Sequence, residues 1–344
     1  MTSSSQTISP ERPLTVALPA ALECSSRADV TDALRSRSFI SSVLEAKGHI
    51  PVPLDITPAI LRSRSRTAEL LRSAEARCIF NLFEGFGEDS GTEHFFRSLV
   101  EETGIPCTGN PSHVLRTCLS KEMSCRILRD AGIPVPDGVS LRPGFNHEML
   151  AKLRPPLFIK PLLEDGSVGV DPASLVTDRS ELESVVSSKL SLFPGGVRVE
   201  SFLPGREFSV ACIGNDPYDI REVSVIDYER EGASLPFLDY GSKWDGESPL
   251  YALVPKKAEG ALRYSAAKLA AAAGKALGCR GYFRVDLRER DGRLFVIDVN
   301  PNPDVAPDGG FFRQCRESGL SDEETVHTLL ELAFEEHHGG TYRE

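Results

Sequence analysis

The segment from Gly281 to Pro303, GYFRVDLRERDGRLFVIDVNPNP, leaves few options for how it folds. Phe283, Val285 and Leu287 alternate with polar residues on the way out, and Leu294, Phe295, Val296, Ile297 and Val299 form an apolar run on the way back, with Asp291-Gly292 as turn chemistry between them. The pattern predicts a β-hairpin buried on one face. Side chains two apart on a strand share a face, so Arg284 goes with Asp286 and Asp298 with Asn300. Asp and Asn are poor strand residues, and their place late in an apolar strand needs a reason. Oxygen ligands for a divalent cation beside an anionic substrate supply one. The alternative is a surface hairpin whose acids keep a strand soluble.

Loop length decides whether the two pairs meet. A two-residue turn at Asp291-Gly292 sets Asp286 opposite Ile297 and puts the two acids on opposite faces. A three-residue loop, Arg290 to Gly292 with Gly292 as a left-handed bulge residue, sets Arg284 opposite Asp298 and Asp286 opposite Val296. The acids are then diagonal neighbours roughly 7 Å apart at the backbone, close enough to share one or two magnesium ions. The three-residue loop is therefore the expectation.

The 344 residues provide for two or three domains. A net charge of -11 argues against a nucleic-acid or anionic-membrane surface as the main partner, and no stretch is apolar over the length of a membrane span. Cys24, Cys78, Cys107, Cys118, Cys125, Cys212, Cys279 and Cys315 lack a Cys-x-x-Cys spacing and read as free thiols in a reducing cytoplasm. The histidines form no zinc pattern.

Residues 1–13, MTSSSQTISPERP, read as a disordered tail. A strand from Leu14, a helix ending near Gly48, a strand from His49 to Ile56, a helix from about Pro58 to Ser73, the strand RCIFNLFEG and a helix from Thr92 to Thr103 follow. This alternation implies a parallel sheet with right-handed crossovers. No G-x-G-x-x-G follows the first strand, which argues against a nicotinamide-nucleotide domain. A second region opens near Pro111 with a helix containing Lys121, then a strand PLFIKPL, a glycine loop and a helix near Ser180. A third begins near Val197 and contains an alanine-rich helix from Ala258 to Leu277 before the hairpin. The expected division is 14–111, 112–196 and 197–344.

Upstream of the hairpin, Lys160 ends the apolar strand FIKP, where a lone lysine is costly unless it meets an anion. EDGSVGV follows, Glu164 to Val170, whose Gly166 and Gly169 let a backbone fold closely over phosphates while Ser167 adds a donor. Alone, this loop also reads as an ordinary surface turn. In VRVESFLPGREFSV, Glu200 ends one strand and Glu207 starts the next, around a Leu203-Pro204-Gly205 corner. An acceptor at Glu200 with an apolar Leu203 suits an adenine ring, and Glu207 suits ribose hydroxyls; two exposed acids around a turn are the alternative.

In this order, FNLFEGFGEDSG with GIPCTGN, LSKEMSCRIL, FIKPLLEDGSVGV, VESFLPGREF, DYGSKWDGESPLYALVP, FRVDL and IDVNPNP resemble the ATP-grasp superfamily and, within it, the D-alanine–D-alanine ligases, from about Phe80 to Glu331. The resemblance implies an α/β architecture of the α+β ATP-grasp kind. An N-terminal parallel-sheet pre-ATP-grasp domain that binds substrate (14–111) precedes a central lobe (112–196) and a C-terminal lobe with the metal site (197–344). It implies an ADP-forming ligase that phosphorylates a small carboxylate with ATP and passes the acyl group to an amine, in the cytoplasm and as a homodimer, with amino acids or related amines and carboxylates as substrates. It further implies that Lys121 and Lys160 hold ATP phosphates, that the loop with Gly166 and Ser167 closes over them, and that Glu200, Leu203 and Glu207 bind adenosine. The resemblance also implies that Asp286, Asp298 and Asn300 carry two magnesium ions, that Lys243 reaches the transferring phosphate from a mobile loop, and that Arg284 stabilises the oxyanion. Closure keeps water from the acyl phosphate.

The chain departs from that family where amino acids are chosen. The usual Ser-x-Glu after the first strand is replaced by ALECSSRADVTDALRS, with Asp29 as the expected stand-in and Asp32 as the second candidate. Trp244, the single tryptophan, stands where a tyrosine is usual. Asp304 follows Pro303 in place of glycine, and Gly309-Gly310 takes the place of Ser-Leu. An acid near the acceptor site disfavours a free carboxylate there and favours a cationic group. The expectation is a ligase of amino acids or related small molecules that is not restricted to two D-alanines. A strict D-alanine–D-alanine ligase and a non-catalytic ATP-binding protein are the alternatives.

Overall fold

The computed structural model describes residues 13–23, 28–87, 89–244, 248 and 253–339; apart from Pro13, the expected N-terminal tail lies outside the described residues. The chain forms two compact units, one from Met1–Gly87, Thr92–Ser112 and Asp304–Glu344, the other from Glu88–Gly91 and His113–Pro303.

In the first unit, β1 (Thr15–Ala21), β2 (Ile50–Ile56) and β3 (Cys78–Ile79) form a parallel sheet in the order β2-β1-β3. β1, TVALPAA, is buried on both faces, as the central strand of such a sheet must be. Ala17, Ile56, Leu71, Ile79, Phe83, Phe96 and Val100 make its core. The single helix expected over 58–73 is two, Pro58–Leu61 and Arg64–Ser73, because Ser63 leaves the helical region and caps the second with its hydroxyl on Arg66 N at 3.4 Å. β3 is shorter than RCIFNLFEG suggests. Phe80 N and Leu82 N still donate to Ala17 O and Pro19 O of β1, but the alternate amides go to side chains, Asn81 N to Thr108 Oγ1 at 3.0 Å and Phe83 N to Asn81 Oδ1 at 3.3 Å. From the end of the chain, Phe312 in the helix Gly310–Glu317 meets Phe39 edge-to-face at 5.1 Å.

The second unit has two largely antiparallel sheets. β4 (Gly138–Leu141), β5 (Leu157–Pro161), β6 (Leu175–Val176) and β7 (Val197–Ser201) form one, in the order β4-β7-β5-β6. β8 (Glu207–Ile213), β9 (Asp219–Ile226), β10 (Lys256–Lys257), β11 (Tyr282–Arg290) and β12 (Arg293–Asn300) form the other, in the order β10-β9-β8-β11-β12. The helix expected around Lys121 is likewise split, into Ser112–Leu119 and Lys121–Asp130, with Ser120 capping the second. One face of the larger sheet is apolar: Phe208, Val210, Phe283, Val285 and Leu287 cluster with Ala266, Ala270, Ala273 and Leu277 of the helix Gly260–Leu277.

The hairpin β11-β12 corrects the expected register. Arg290 pairs with Arg293, so Asp291-Gly292 is a two-residue turn, with φ of 53° and 74° that fit a type I′ hairpin. The three-residue loop is absent. Unbroken, this register would set Asp286 opposite Ile297, but the pairing slips by one residue between Asp286 and Leu287: Leu287 faces Val296 while Asp286 faces Asp298. Ile297 is thus a bulge residue, and beyond it Arg284 faces Asn300. The two acids are directly opposite, closer than the expected diagonal.

Gly274 lets the helix Gly260–Leu277 approach the sheet, since a Cβ there would lie 2.2 Å from Phe283 Cζ. Gly274→Ala is therefore expected to destabilise the protein by about 1–3 kcal/mol despite its better helix propensity, lowering the midpoint of urea unfolding.

Candidate active site

Opposite the apolar face, the larger sheet presents polar side chains. β11 contributes Arg284, Asp286 and Arg288 at alternate positions, and the register sets Ala211, Ser209 and Glu207 of β8 across from them. Asp286 receives a bidentate pair from Arg284, Nε to Oδ1 at 2.9 Å and Nη2 to Oδ2 at 2.8 Å, and a third bond from Ser209 Oγ at 2.8 Å. Asn300 Oδ1 accepts from Asn302 N at 3.0 Å. In line with Ser209 on β9, Ser224 is buried and its hydroxyl has no hydrogen-bond partner among the described residues.

The bulge has a second consequence. Ile297 has no cross-strand partner in the hairpin, and its carbonyl accepts from Lys160 Nζ at 3.0 Å. Lys160, at the end of β5, also pairs with Glu200 Oε1 at 2.7 Å, while Glu200 Oε2 takes Arg198 Nε at 2.6 Å and Arg198 Nη2 donates to Pro136 O at 3.0 Å. Lys160, Arg198 and Glu200 are all buried. The strand explains the arrangement: Arg198 and Glu200 are two apart on β7, and Lys160 is the register partner of Arg198. Gly138 of β4 is the register partner of Glu200, where a Cβ would come within 2.7 Å of Glu200 Cβ. Glu200, expected at the adenine edge, has both oxygens bonded to cations.

Lys121, the first residue of its helix, is buried and bonds Glu164 O and, at 3.3 Å, Asp165 Oδ1. Burial opposes its charge, but Asp298 and Asp165 outweigh burial and raise its pKa. Lys121 thus feels Asp298 and Glu200, and Glu200 in turn pairs with Lys160. In the glycine loop, Gly166, Ser167 and Gly169 have φ of 62°, 66° and 72°, and Ser167 Oγ meets Leu238 O at 3.5 Å. Tyr240 N donates to Val170 O at 3.3 Å, so the loop runs beside the segment that leads to Lys243.

Glu207 and the Leu203 corner meet at a residue the motifs did not single out. Arg288 donates to Leu203 O from Nε at 3.1 Å and Nη2 at 2.8 Å, and from Nη1 to Glu207 Oε2 at 3.1 Å and Pro236 O at 2.9 Å. It lies 5.2 Å from the ring centroids of both Phe202 and Tyr228, and Tyr228 donates to Glu207 Oε2 at 2.9 Å. The signal for Arg288 was its place two residues beyond Asp286 on the polar face. Arg198 was similarly visible in VRVE, where two charges alternate with buried valines.

Other expected residues belong to different parts of the chain. Lys243 and Trp244 are in the helix Tyr240–Trp244 and Asp29 in the helix Ala28–Ala46, but their side chains, like that of Asp32, lie outside what is described. Asp304 and Gly309 belong to the first unit, where Asp304 Oδ1 accepts from Ala306 N at 2.6 Å and Ser36 Oγ at 3.4 Å, and a Cβ on Gly309 would stand 2.8 Å from Asp304 Oδ2.

Burial opposes ionisation of Glu200, yet Lys160 and Arg198 overcome it and hold the carboxyl below the usual glutamate range. A depressed carboxyl contributes stability above its unfolded pKa and loses it as pH falls through the folded one. Glu200→Gln is therefore expected to cost about 3 kcal/mol at neutral pH, because it strands two buried cations. The gap to the unsubstituted protein should shrink in urea titrations taken below about pH 4.3. A gap independent of pH down to pH 3 would contradict the bridging role.

Comparison with known proteins places this geometry. The family described as "D-ala D-ala ligase C-terminus" matches residues 127–331. The D-alanine–D-alanine ligase of Desulforudis audaxviator is 28% identical over 306 residues, 88% of this chain and 94% of that protein. The D-alanine–D-alanine ligase of Bacillus anthracis, solved with ATP, superposes with a TM-score of 0.76 at 19% identity over 95% of this chain and 99% of that one. The VanG D-Ala:D-Ser ligase of Enterococcus faecalis does so with a TM-score of 0.72 at 21% identity, over 94% and 100%. With an ATP-grasp fold and a match over more than half its length, the chain belongs to the D-alanine–D-alanine ligase family.

Proposed function

We propose that this protein is an ATP-dependent, ADP-forming ligase that joins an amino acid or related small carboxylate to an amine, with a substrate range not confined to two D-alanines. Two buried lysines carry this reading: Lys160 bonds the bulge carbonyl of Ile297 at 3.0 Å, and Lys121 feels the charge of Asp298, the next residue on the hairpin. Two buried ammonium groups beside carboxylates on a hairpin are what a polyphosphate requires. In this reading Lys121 and Lys160 bind ATP phosphates, Gly166 and Ser167 cover them, and Leu203 and Glu207 hold adenosine. Glu200, assigned to the same adenosine site, also orients Lys160. The carboxylate takes the terminal phosphoryl group of ATP and releases ADP, the amine then displaces phosphate from the acyl phosphate to form the amide, and Arg284 and Lys243 offset the charge on the reacting oxygens.

The donor set fits magnesium. Asp286 and Asp298 face each other with Asn300 beyond them, all hard oxygen ligands. Two ions held there supply positive charge against phosphate oxygens. Asp29, Trp244, Asp304 and Gly309 are assigned to the amino-acid substrates, and the family's D-Ala:D-Ser member supports variation in the second one. The three-part division at 14–111, 112–196 and 197–344, a homodimeric state and a cytoplasmic location belong to the same proposal. The seven described cysteines, all free thiols, support the last.

An ADP-release assay over a panel of amino acids and amines tests the reading. Turnover with pairs other than D-alanine alone is expected. Turnover with D-alanine alone would narrow the activity to strict D-alanine–D-alanine ligation, and nucleotide binding without turnover under any pair would reject catalysis. In the same assay Asp298→Ala is expected to abolish ADP release while circular dichroism stays unchanged; retained activity would sink the metal assignment.

A further inference from the structure

Lys189 lies on the helix Leu182–Leu192, which otherwise buries Leu182, Val186 and Leu190, and it is only 3% exposed. A lysine in an apolar stripe is costly unless its ammonium is fully paired. It is: Nζ donates to Gly169 O at 2.7 Å, pairs with Asp171 Oδ2 at 2.8 Å and meets Ser174 Oγ at 3.1 Å, which uses its three N–H groups. All three acceptors come from residues 169–174, where the glycine loop ends. Ser174 is fully buried and accepts from Asp171 N at 3.1 Å, closing the turn on itself. Gly169 is pressed between Phe193 and Pro161, whose atoms would stand 2.4 Å and 2.6 Å from a Cβ.

The other end of the loop is held differently. Lys121 bonds Glu164 O and Asp165, and Ser90 Oγ donates to Glu164 Oε2 at 2.9 Å. Between the two ends, Gly166 has open space around it. Two lysines therefore hold the two feet of one loop. The first is a proposed phosphate ligand; the second is too deep, and too fully paired, to serve as one.

We propose that Lys189 is a positioning residue that makes residues 169–174 a fixed pivot, about which residues 164–168 close when Lys121 exchanges Glu164 and Asp165 for a phosphate. This rests on the reading of that loop as the cover of the ATP phosphates. A charged pivot suits the task because its three directional bonds set the loop's exit angle, which apolar packing alone leaves loose.

Hydrogen exchange across residues 164–174, with and without AMP-PNP and magnesium, tests the proposal. In the unsubstituted protein AMP-PNP is expected to protect 164–168. Lys189→Met keeps the stem and removes the bonds. It is expected to speed exchange at 169–174 in the free protein, to cut nucleotide-induced protection of 164–168, and to weaken AMP-PNP binding about tenfold, the equivalent of one hydrogen bond to a charged group. Asp171→Asn, at a half-exposed side chain that folding tolerates, should act in the same direction with a smaller effect. A merely structural lysine would lower the melting temperature without changing the nucleotide-dependent difference. Unchanged protection and affinity in both variants, with normal protection in the parent, would overturn the pivot alone. No protection in the parent would overturn the phosphate-loop reading and the pivot together.

Discussion

Ile297 has no cross-strand partner in the hairpin, and the polar half of the second unit depends on that one unpaired residue. A two-residue turn followed by a regular ladder would send Asp298 and Asn300 to the apolar face, against the alanines of the helix Gly260–Leu277, where bare carboxylates are costly. The bulge turns the end of β12 over, so that Asp298 faces Asp286 and Asn300 faces Arg284. It also frees a carbonyl that Lys160 uses. One inserted residue thus aligns the hairpin acids and ties them to the other sheet.

From Lys160 the ionic chain continues through Glu200 to Arg198, all buried and all satisfied. Such a chain contributes little net stability, because desolvation offsets most of the Coulomb attraction, but it leaves little freedom in where the Lys160 ammonium sits. Arg288 does the equivalent on the polar face of β11, linking the Leu203 corner, Glu207 and the Pro236 carbonyl while its guanidinium lies near two aromatic rings. In both places an arginine outside the proposed ligand set holds a residue within it. Support of this kind lets a site built from long side chains keep a defined geometry.

The hairpin, the parallel sheet of the first unit and the side chains sharing each face were legible in the sequence, because period-two patterning and turn residues are local properties. The register was not. Asp291-Gly292 was read as part of a three-residue loop because only that loop brought the acids together without a further irregularity, whereas the chain uses the commoner two-residue turn and corrects the face with a bulge six residues before Pro303. A bulge in an apolar run such as LFVIDV has no composition of its own. The helix breaks at Ser63 and Ser120, where each serine caps the helix that follows, were not part of the expectation.

By itself, then, the sequence determined which residues are candidates for chemistry: the lysines at 121 and 160, the acids of the hairpin, the glycine loop and their order along the chain. Tertiary structure decided what those residues touch. Glu200 became the bridge between two cations, Lys121 came under the influence of Asp298 from more than a hundred residues away, and Lys189, an unremarked helix residue, became the anchor of the glycine loop. The reason is physical: residue type and local spacing dictate what a side chain can do, but a charge buried in a fold must find its partner among whatever the packing brings within about 3 Å.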